Sequence, residues 1–550
     1  MQNETVSKAT VFIARVKGAD LVGRIVHLTE RYAGWVAAAI LFATFLAALG
    51  HSTHKRFTYD ELATYRAATL PHVRDVWDFF AVGLDTTGPL SSLIVHGCRS
   101  ILGSPELASR LPFTLAFLGM GFGMFGFLRG RYPAGYALTA LLLPLEIPLI
   151  SFYLTEARGY AFLLGGAGLA AHFWKLANAR TARPWTVIGL WCALTLAISA
   201  NFYAIFLFVP FALGQLVHDL GREKLDLPVW VAIFLFPVGW LPTVRGSLLA
   251  HKYYAPHFWS RPDLGNLTGV LGRPLSTSWP LVAVLATFIF GLAAYQAWKG
   301  SALEKGPGEG LSKAEFVFAI ALALLPVYAW VASLLLGIFR DTYVFTFSIG
   351  LVICVLAGMA ELARRSAAAG LVLFALVAIL TVYDNGGDLM DGITSLPDAG
   401  HAHKQMQNDV MGCKWVKRML SDAVPIATDN DTYMLLDFYS TPELWTRVYG
   451  LTDLPEAAKY NGAMTDQMNF TLFSRKLPIR TMDVEAFVKT YPHFLVIAKR
   501  VRRNYTWLPE YLLERQRTKG DVTISLWDLD DEDNDMDNAR VVYEVQMRDR

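Results

Sequence analysis

Two adjacent carboxylates, Asp60 and Glu61, stand just past the apolar stretch Tyr32 to Gly50, within Phe57-Thr58-Tyr59-Asp60-Glu61-Leu62-Ala63-Thr64-Tyr65. A carboxylate pair at a membrane face is costly to keep partly desolvated unless it does chemistry or binds a cation. Further along come Glu156-Ala157-Arg158-Gly159-Tyr160 and Arg340-Asp341-Thr342-Tyr343. These residue types suit transfer of a group from a phosphate to a hydroxyl. A carboxylate within hydrogen-bond reach takes the proton from the attacking hydroxyl. Arginine's planar fork matches the oxygens of the departing phosphate. On that reading Asp60 is the base, and Arg158 and Arg340 face the phosphate, with Lys55, Arg56, Lys252 and Arg273 as further cations. Glu61 has three open roles: it orients Asp60, binds the transferred group or holds a cation. The plainer readings are a helix-start acidic pair favoured by the macrodipole for Asp60-Glu61, a structural pairing for Glu156 and Arg158, and a solvated interface position for Arg340.

The surrounding chain must place these groups at a bilayer. It has 550 residues, 54% hydrophobic and 17% charged, with a net charge of +2 and a mean hydropathy of +0.35. Such values exclude an ordinary soluble protein and point to a polytopic membrane protein. The near-neutral balance gives no electrostatic case for nucleic acid. Eleven apolar segments are long enough, or nearly so, to cross: 32–50, 110–128, 134–152, 157–175, 185–200, 202–217, 228–244, 280–298, 315–337, 343–361 and 367–383. The fifth and sixth form one run too long for a single crossing, and splitting it at Ser199-Ala200-Asn201 resolves the excess. The split also puts Arg129, Arg131, Lys175, Arg180, Arg183, Arg222, Lys224, Lys299, Lys305, Lys313, Arg364 and Arg365 on the side of the basic N-terminal segment. By the positive-inside rule that side is cytoplasmic. The carboxylates and the C-terminus then face outward.

The expected class is mainly α: about eleven transmembrane helices followed by a C-terminal extracytoplasmic α/β domain. The expected parts are a cytoplasmic amphipathic segment at 1–31, a transmembrane catalytic domain at 32–383 with its first outer loop at 51–109, and the soluble domain at 384–550. Strand-like runs in the last part are Val424–Ala427, Phe494–Ala498, Asp521–Leu526 and Arg540–Val545, and helical runs are Asp409–Leu420 and Leu508–Arg515. The acidic run Asp528 to Asp537 lacks the Gly and terminal Glu of a calcium loop and reads as a hairpin turn. No cleavable signal peptide is expected before Tyr32, because the charged stretch there has no apolar core.

The order Asp60-Glu61, Gly88-Pro89-Leu90, Gly103-Ser104-Pro105-Glu106-Leu107-Ala108-Ser109-Arg110-Leu111-Pro112 and Glu156-Ala157-Arg158-Gly159-Tyr160 resembles the GT-C membrane glycosyltransferases. Within them it is similar to the protein O-mannosyltransferase and aminoarabinose-transferase group. The resemblance covers residues 30 to about 220 and, more thinly, 330–361. It implies sugar transfer from a polyprenyl-phosphate donor to a lipid, glycan or protein acceptor, at a hydroxyl or phosphate, on the outer face of a bacterial inner membrane within the cell envelope. A single displacement with Asp60 as base is expected to invert the anomeric centre. The resemblance also implies that Asp60 is the base, with Glu61 in the same acidic motif. Glu156, Arg158, Tyr160, Arg340 and Tyr343 then form the donor site. Two departures concern the phosphate contacts and the acceptor: Thr87-Gly88 where relatives carry His or Lys before the proline, and Asn201-Phe202-Tyr203 where many carry His-Tyr.

Asp60, Glu61 and Glu156 are oxygen ligands of the kind that Mg or Mn takes, so a divalent cation is a candidate cofactor. His51 and His54 have helical zinc spacing but no evident partner pair. Glu146 lies in an apolar run between two prolines. Cys192 and Cys354 read as small hydrophobes, and Cys98 and Cys413 both fall on the outer side. Asn266, Asn430, Asn469 and Asn504 begin glycosylation sequons, which arise often by chance. Two other functions compete: an oligosaccharide ligase or polymerase using lipid carriers, which does not need the early Asp-Glu, and a transporter or scaffold, against which stand the absence of an internal repeat and the clustering of polar residues at one face.

Overall fold

The computed structural model describes residues 2–81, 83, 88–179, 183–255, 260–276, 279–299, 306, 308–421, 423–461, 465–499, 507–529 and 540–548. Asp85-Thr86-Thr87, Arg180, Lys305, the sequon at Asn504 and most of the acidic run after Leu529 lie outside the described residues, as do the side chains of Arg273 and of the first 20 residues.

All eleven predicted apolar segments are helical. Six single helices or helical stretches are long and apolar enough to cross a membrane: Leu21–Thr53, Pro105–Leu128, Phe202–Arg222, Leu227–Lys252, Trp279–Gln296 and Ala367–Asp398. Two bent pairs raise the number to eight among the described residues: Ala134–Glu146 with Pro148–Leu154, and Lys313–Ala323 with Leu325–Leu336. The bends, 85° and 49°, fall where Pro148 and Pro326 open the second member of each pair, because proline cannot donate to the preceding turn. Tyr160–Ala177, Pro184–Ala200 and Phe347–Leu362 are shorter or less apolar helices in the same bundle. This is an integral membrane protein.

The expected break between the fifth and sixth segments is present. The helix ends at Ala200, Asn201 is extended, and its side chain accepts from the Tyr203 N–H at 3.0 Å. The first helix runs unbroken from Gln2 to Thr53, and the last long helix continues to Ser395.

Beyond it lies a six-stranded sheet: β1 (Ile426–Thr428), β2 (Val448–Thr452), β3 (Thr481–Asp483), β4 (His493–Lys499), β5 (Val522–Leu529) and β6 (Arg540–Met547), in the order β3-β2-β1-β4-β6-β5. The four strands from β3 to β4 are parallel, and β6 and β5 add an antiparallel hairpin. The expected helix Asp409–Leu420 is two helices, Ala402–Gly412 and Lys414–Ser421, parted at Cys413. Cys98, Cys192 and Cys354 are free thiols, and Cys413 Sγ donates to the Asp409 carbonyl at 3.4 Å.

The segment after the first span is the hinge of the architecture. Thr58 is extended, and Glu61 reaches back so that its carboxylate accepts from the Thr58 N–H at 3.0 Å. This start signal launches the helix Tyr59–Ala68. Phe57 and Leu62 bury themselves in a cluster formed mostly by Ala402 to Val542. Full burial of each such side chain contributes about 1.5–3 kcal/mol. Ala63 and Ala67 join a second cluster with Phe79, Phe80, Ala250, Ile338 and Phe473. The helix carrying the carboxylates is thereby wedged between the bundle and the sheet-bearing region.

Candidate active site

Asp60 and Glu61 are neighbours in sequence and face opposite environments. The Glu61 side chain is fully enclosed, whereas that of Asp60 is 46% exposed. Glu61 accepts from Arg110 Nε and Nη2, both at 2.8 Å, and from the Ala157 N–H at 2.7 Å, besides Thr58. Arg110 is itself buried and donates to the carbonyls of Ser52, Lys55 and Arg56. Burial alone would raise the Glu61 carboxyl, but the Arg110 guanidinium and the backbone N–H donors hold it down at about 2. Glu61 is an ionised anchor that ties the first span, the Pro105–Leu128 helix and the Glu156-to-Tyr160 turn together.

Asp60 Oδ2 lies 3.6 Å from Arg158 Nη2. Arg158 Nη1 donates to the Asp60 carbonyl at 3.1 Å and to Thr64 Oγ1 at 3.3 Å, so the helix start and the guanidinium are locked in register. Arg340 is within electrostatic reach of Tyr160, Tyr153, Asp60 and Tyr343. The Thr342 hydroxyl donates to Tyr160 Oη at 3.2 Å. Tyr343 stacks on Tyr203, ring centroids 3.8 Å apart and planes 11° from parallel. The fold therefore gathers the first-loop carboxylate, the Glu156-to-Tyr160 turn, the Arg340-to-Tyr343 turn and the Asn201-to-Tyr203 break.

The glycines of the two motifs explain how they gather. A Cβ on Gly88 would lie 1.9 Å from the Ser199 carbonyl oxygen, and one on Gly159 would lie 2.6 Å from that of Ala200. The Gly88 N–H donates to the Ala200 carbonyl at 3.2 Å. Both motifs thus pack directly on the backbone where the fifth and sixth apolar segments part.

Glu156 is almost completely buried and is paired with Lys55, while Thr58 Oγ1 donates to its second oxygen at 2.8 Å. Burial, with the nearby Glu61 charge, pushes its carboxyl up to about 8, against the pull of Lys55 and Arg110. Lys55 is 30% exposed, and its ammonium sits 4.5 Å from the centre of the Phe152 ring. Arg56 is half-buried, its carbonyl taken by Arg110. Lys252 is exposed on the helix Val244–Tyr254.

The residues do not fit a divalent cation. Among the described residues no group of three His, Cys, Asp or Glu is placed to hold one, and the oxygens of Glu61 and Glu156 already accept from Arg110, Ala157, Thr58 and Lys55. His54 Nδ1 turns back to the Gly50 carbonyl at 3.1 Å.

Sequence reasoning assigned no role to Arg110, although its motif was quoted. Glu106 and Arg110, four residues apart at the start of an apolar helix, are both buried. Glu106 accepts from Tyr439 Oη at 3.2 Å, and one of its oxygens lies 2.9 Å from His403 Nδ1. Two charges on one helical face entering a span were the available signal.

No protein-family model matches the chain, and no curated protein matches it in sequence. Solved structures do. ArnT from Cupriavidus metallidurans bound to undecaprenyl phosphate aligns over 93% of this chain and 98% of its own, with a TM-score of 0.51 at 15% identity. The same protein in its apo state aligns over 94% and 98%, with a TM-score of 0.53 at 14% identity. Over nearly its whole length, bundle and sheet together, this chain has the ArnT-like fold that its sequence motifs imply.

Proposed function

We propose that this protein is a glycosyltransferase that moves a sugar from a polyprenyl-phosphate carrier to an acceptor hydroxyl or phosphate. It works at the outer face of a bacterial inner membrane, with its N-terminus cytoplasmic and its C-terminal region outside. One observation carries this reading: the half-exposed Asp60 carboxylate stands beside Arg158 and within reach of Arg340, in a fold whose solved counterpart binds undecaprenyl phosphate.

With a hydroxyl acceptor the oxygen attacks the anomeric carbon as Asp60 takes its proton, whereas a phosphate acceptor attacks through an oxygen that is already ionised. The bond from that carbon to the phosphate oxygen breaks, and polyprenyl phosphate departs with the electron pair. Arg158 and Arg340 meet the charge that gathers on the leaving phosphate. One displacement inverts the anomeric centre. Glu61 acts through position: it holds Arg110 and the Ala157 N–H, which fix the start of the helix that presents Asp60.

The test offers the purified protein, with an acceptor-bearing membrane extract, a radiolabelled monosaccharide on polyprenyl phosphate or an oligosaccharide on polyprenyl diphosphate. Transfer from the monophosphate is expected. Transfer from the diphosphate alone would instead mark a ligase or polymerase.

A further inference from the structure

We propose that the sheet-bearing C-terminal region positions the base, through a clamp in which the side-chain amides of Asn430 and Asn469 grip the hydroxyl of Tyr59, the residue before Asp60. Asn430 Nδ2 donates to Tyr59 Oη at 2.8 Å, and Asn469 Nδ2 donates to the same oxygen at 3.1 Å. The two amides come from different helices, Asn430–Tyr439 and Thr465–Phe473, so they fix the phenol from two directions.

A second contact sets the register. Arg66 pairs with Asp437 Oδ2 at 2.5 Å and donates to the Asp437 carbonyl at 3.0 Å. Tyr59 and Arg66 are seven residues apart, as are Asn430 and Asp437. Seven residues is close to two helical turns, so each pair shares one face. The two helices therefore lie side by side, start to start, pinned at both ends. Phe438, next to Asp437, packs against Phe57 and Tyr65 with ring centroids 5.4 and 5.2 Å apart. Rotating the Tyr59–Ala68 helix about its axis would swing Asp60 away from Arg158, and these pins oppose that rotation.

The clamp also accounts for two sequons. Asn430 is buried, and Thr432 Oγ1 accepts from the buried Arg540 at 2.9 Å. In the folded protein the amides of Asn430 and Asn469 serve Tyr59 rather than a glycan.

Tyr59, Asn430 and Asn469 are positioning residues, and their effect on turnover rests on the assignment of Asp60 as base. The test compares Tyr59→Phe, Asn469→Ala and the double variant of the full-length protein. Each is read by kcat, by KM for a polyprenyl-phosphate sugar and by hydrogen exchange of residues 57–68. Asn469→Ala, which loses one hydrogen bond, is expected to lower kcat by about tenfold, and Tyr59→Phe, which loses both, by at least as much, each with KM within about twofold of wild type. The double variant should match Tyr59→Phe, because both changes remove the same contact. Exchange across 57–68 should accelerate in every variant. Additive losses, or a fall in kcat matched by a rise in KM, would overturn the clamp. Unchanged exchange in Tyr59→Phe would overturn it whether or not the wild-type protein transfers sugar, whereas a wild type inactive with every donor would overturn the functional reading alone.

Discussion

Arg110 grips both carboxylate oxygens of Glu61 from two nitrogens at 2.8 Å, with neither side chain exposed to solvent by more than 1%. Each charge is tolerable only because the other is present. Removing one partner of such a buried pair costs about 3–5 kcal/mol, since the survivor is left uncompensated. Arg110→Met should therefore lower the thermal midpoint of the detergent-solubilised protein sharply, and Arg110→Met with Glu61→Leu should recover much of the loss. The pair also gives a pH signature. The folded Glu61 carboxyl titrates near 2, below its ordinary value of 4.5. Its contribution is full above about pH 4.5 and is lost as pH falls toward 2. Wild type should lose stability over that window, and the apolar double variant should lose less.

Glu156 has the opposite sign. Its folded carboxyl is raised from 4.5 to about 8, so the folded state holds a proton that the unfolded chain releases. Stability then declines as pH rises from about 4.5 to about 8 and levels off above. Glu156→Gln cannot lose that proton. Its thermal midpoint, measured relative to wild type, should climb between pH 5 and pH 8, and a constant difference would contradict the assignment.

Gly88 lets the Gly-Pro-Leu motif touch the backbone at Ser199. Gly88→Ala puts a Cβ into that carbonyl, and overpacking of this kind costs about 1–3 kcal/mol. Gly97→Ala is the control: its Cβ meets nothing within 4 Å, and it sits in the helix Leu90–Arg99, where alanine is favoured over glycine. Thermal unfolding should show Gly88→Ala destabilised and Gly97→Ala at least as stable as wild type.

Much of this was legible in the sequence, for identifiable reasons. Apolar length and basic loops located the helical segments, and the split at Ser199-Ala200-Asn201 followed from bilayer thickness. The motifs that carry Asp60, Arg158, Tyr160, Arg340 and Tyr343 were legible, and the fold brings those segments together, whereas the Glu156 carboxylate turns to Lys55 and Thr58. The partner of Glu61 was not legible. Adjacency suggests a shared task, but consecutive helical residues point roughly 100° apart, and here Asp60 turns toward Arg158 and Glu61 toward Arg110. Glu106 and Arg110 on one helical face signalled a buried charge, but the partner of Arg110 is 49 residues away, a relation no local pattern carries. Likewise β2 and β3, of five and three residues, are too short to show a period.

The central claim is that Asp60 removes the acceptor's proton. The most direct measurement is the initial rate of sugar transfer from a polyprenyl-phosphate donor by Asp60→Asn, with donor binding and thermal midpoint followed in parallel. The side chain is half-exposed and its contact with Arg158 is long, so the amide should fold and bind normally. The predicted result is a rate at least about a hundredfold lower with donor affinity retained. A rate within about threefold of wild type, below what a general base contributes, would contradict it.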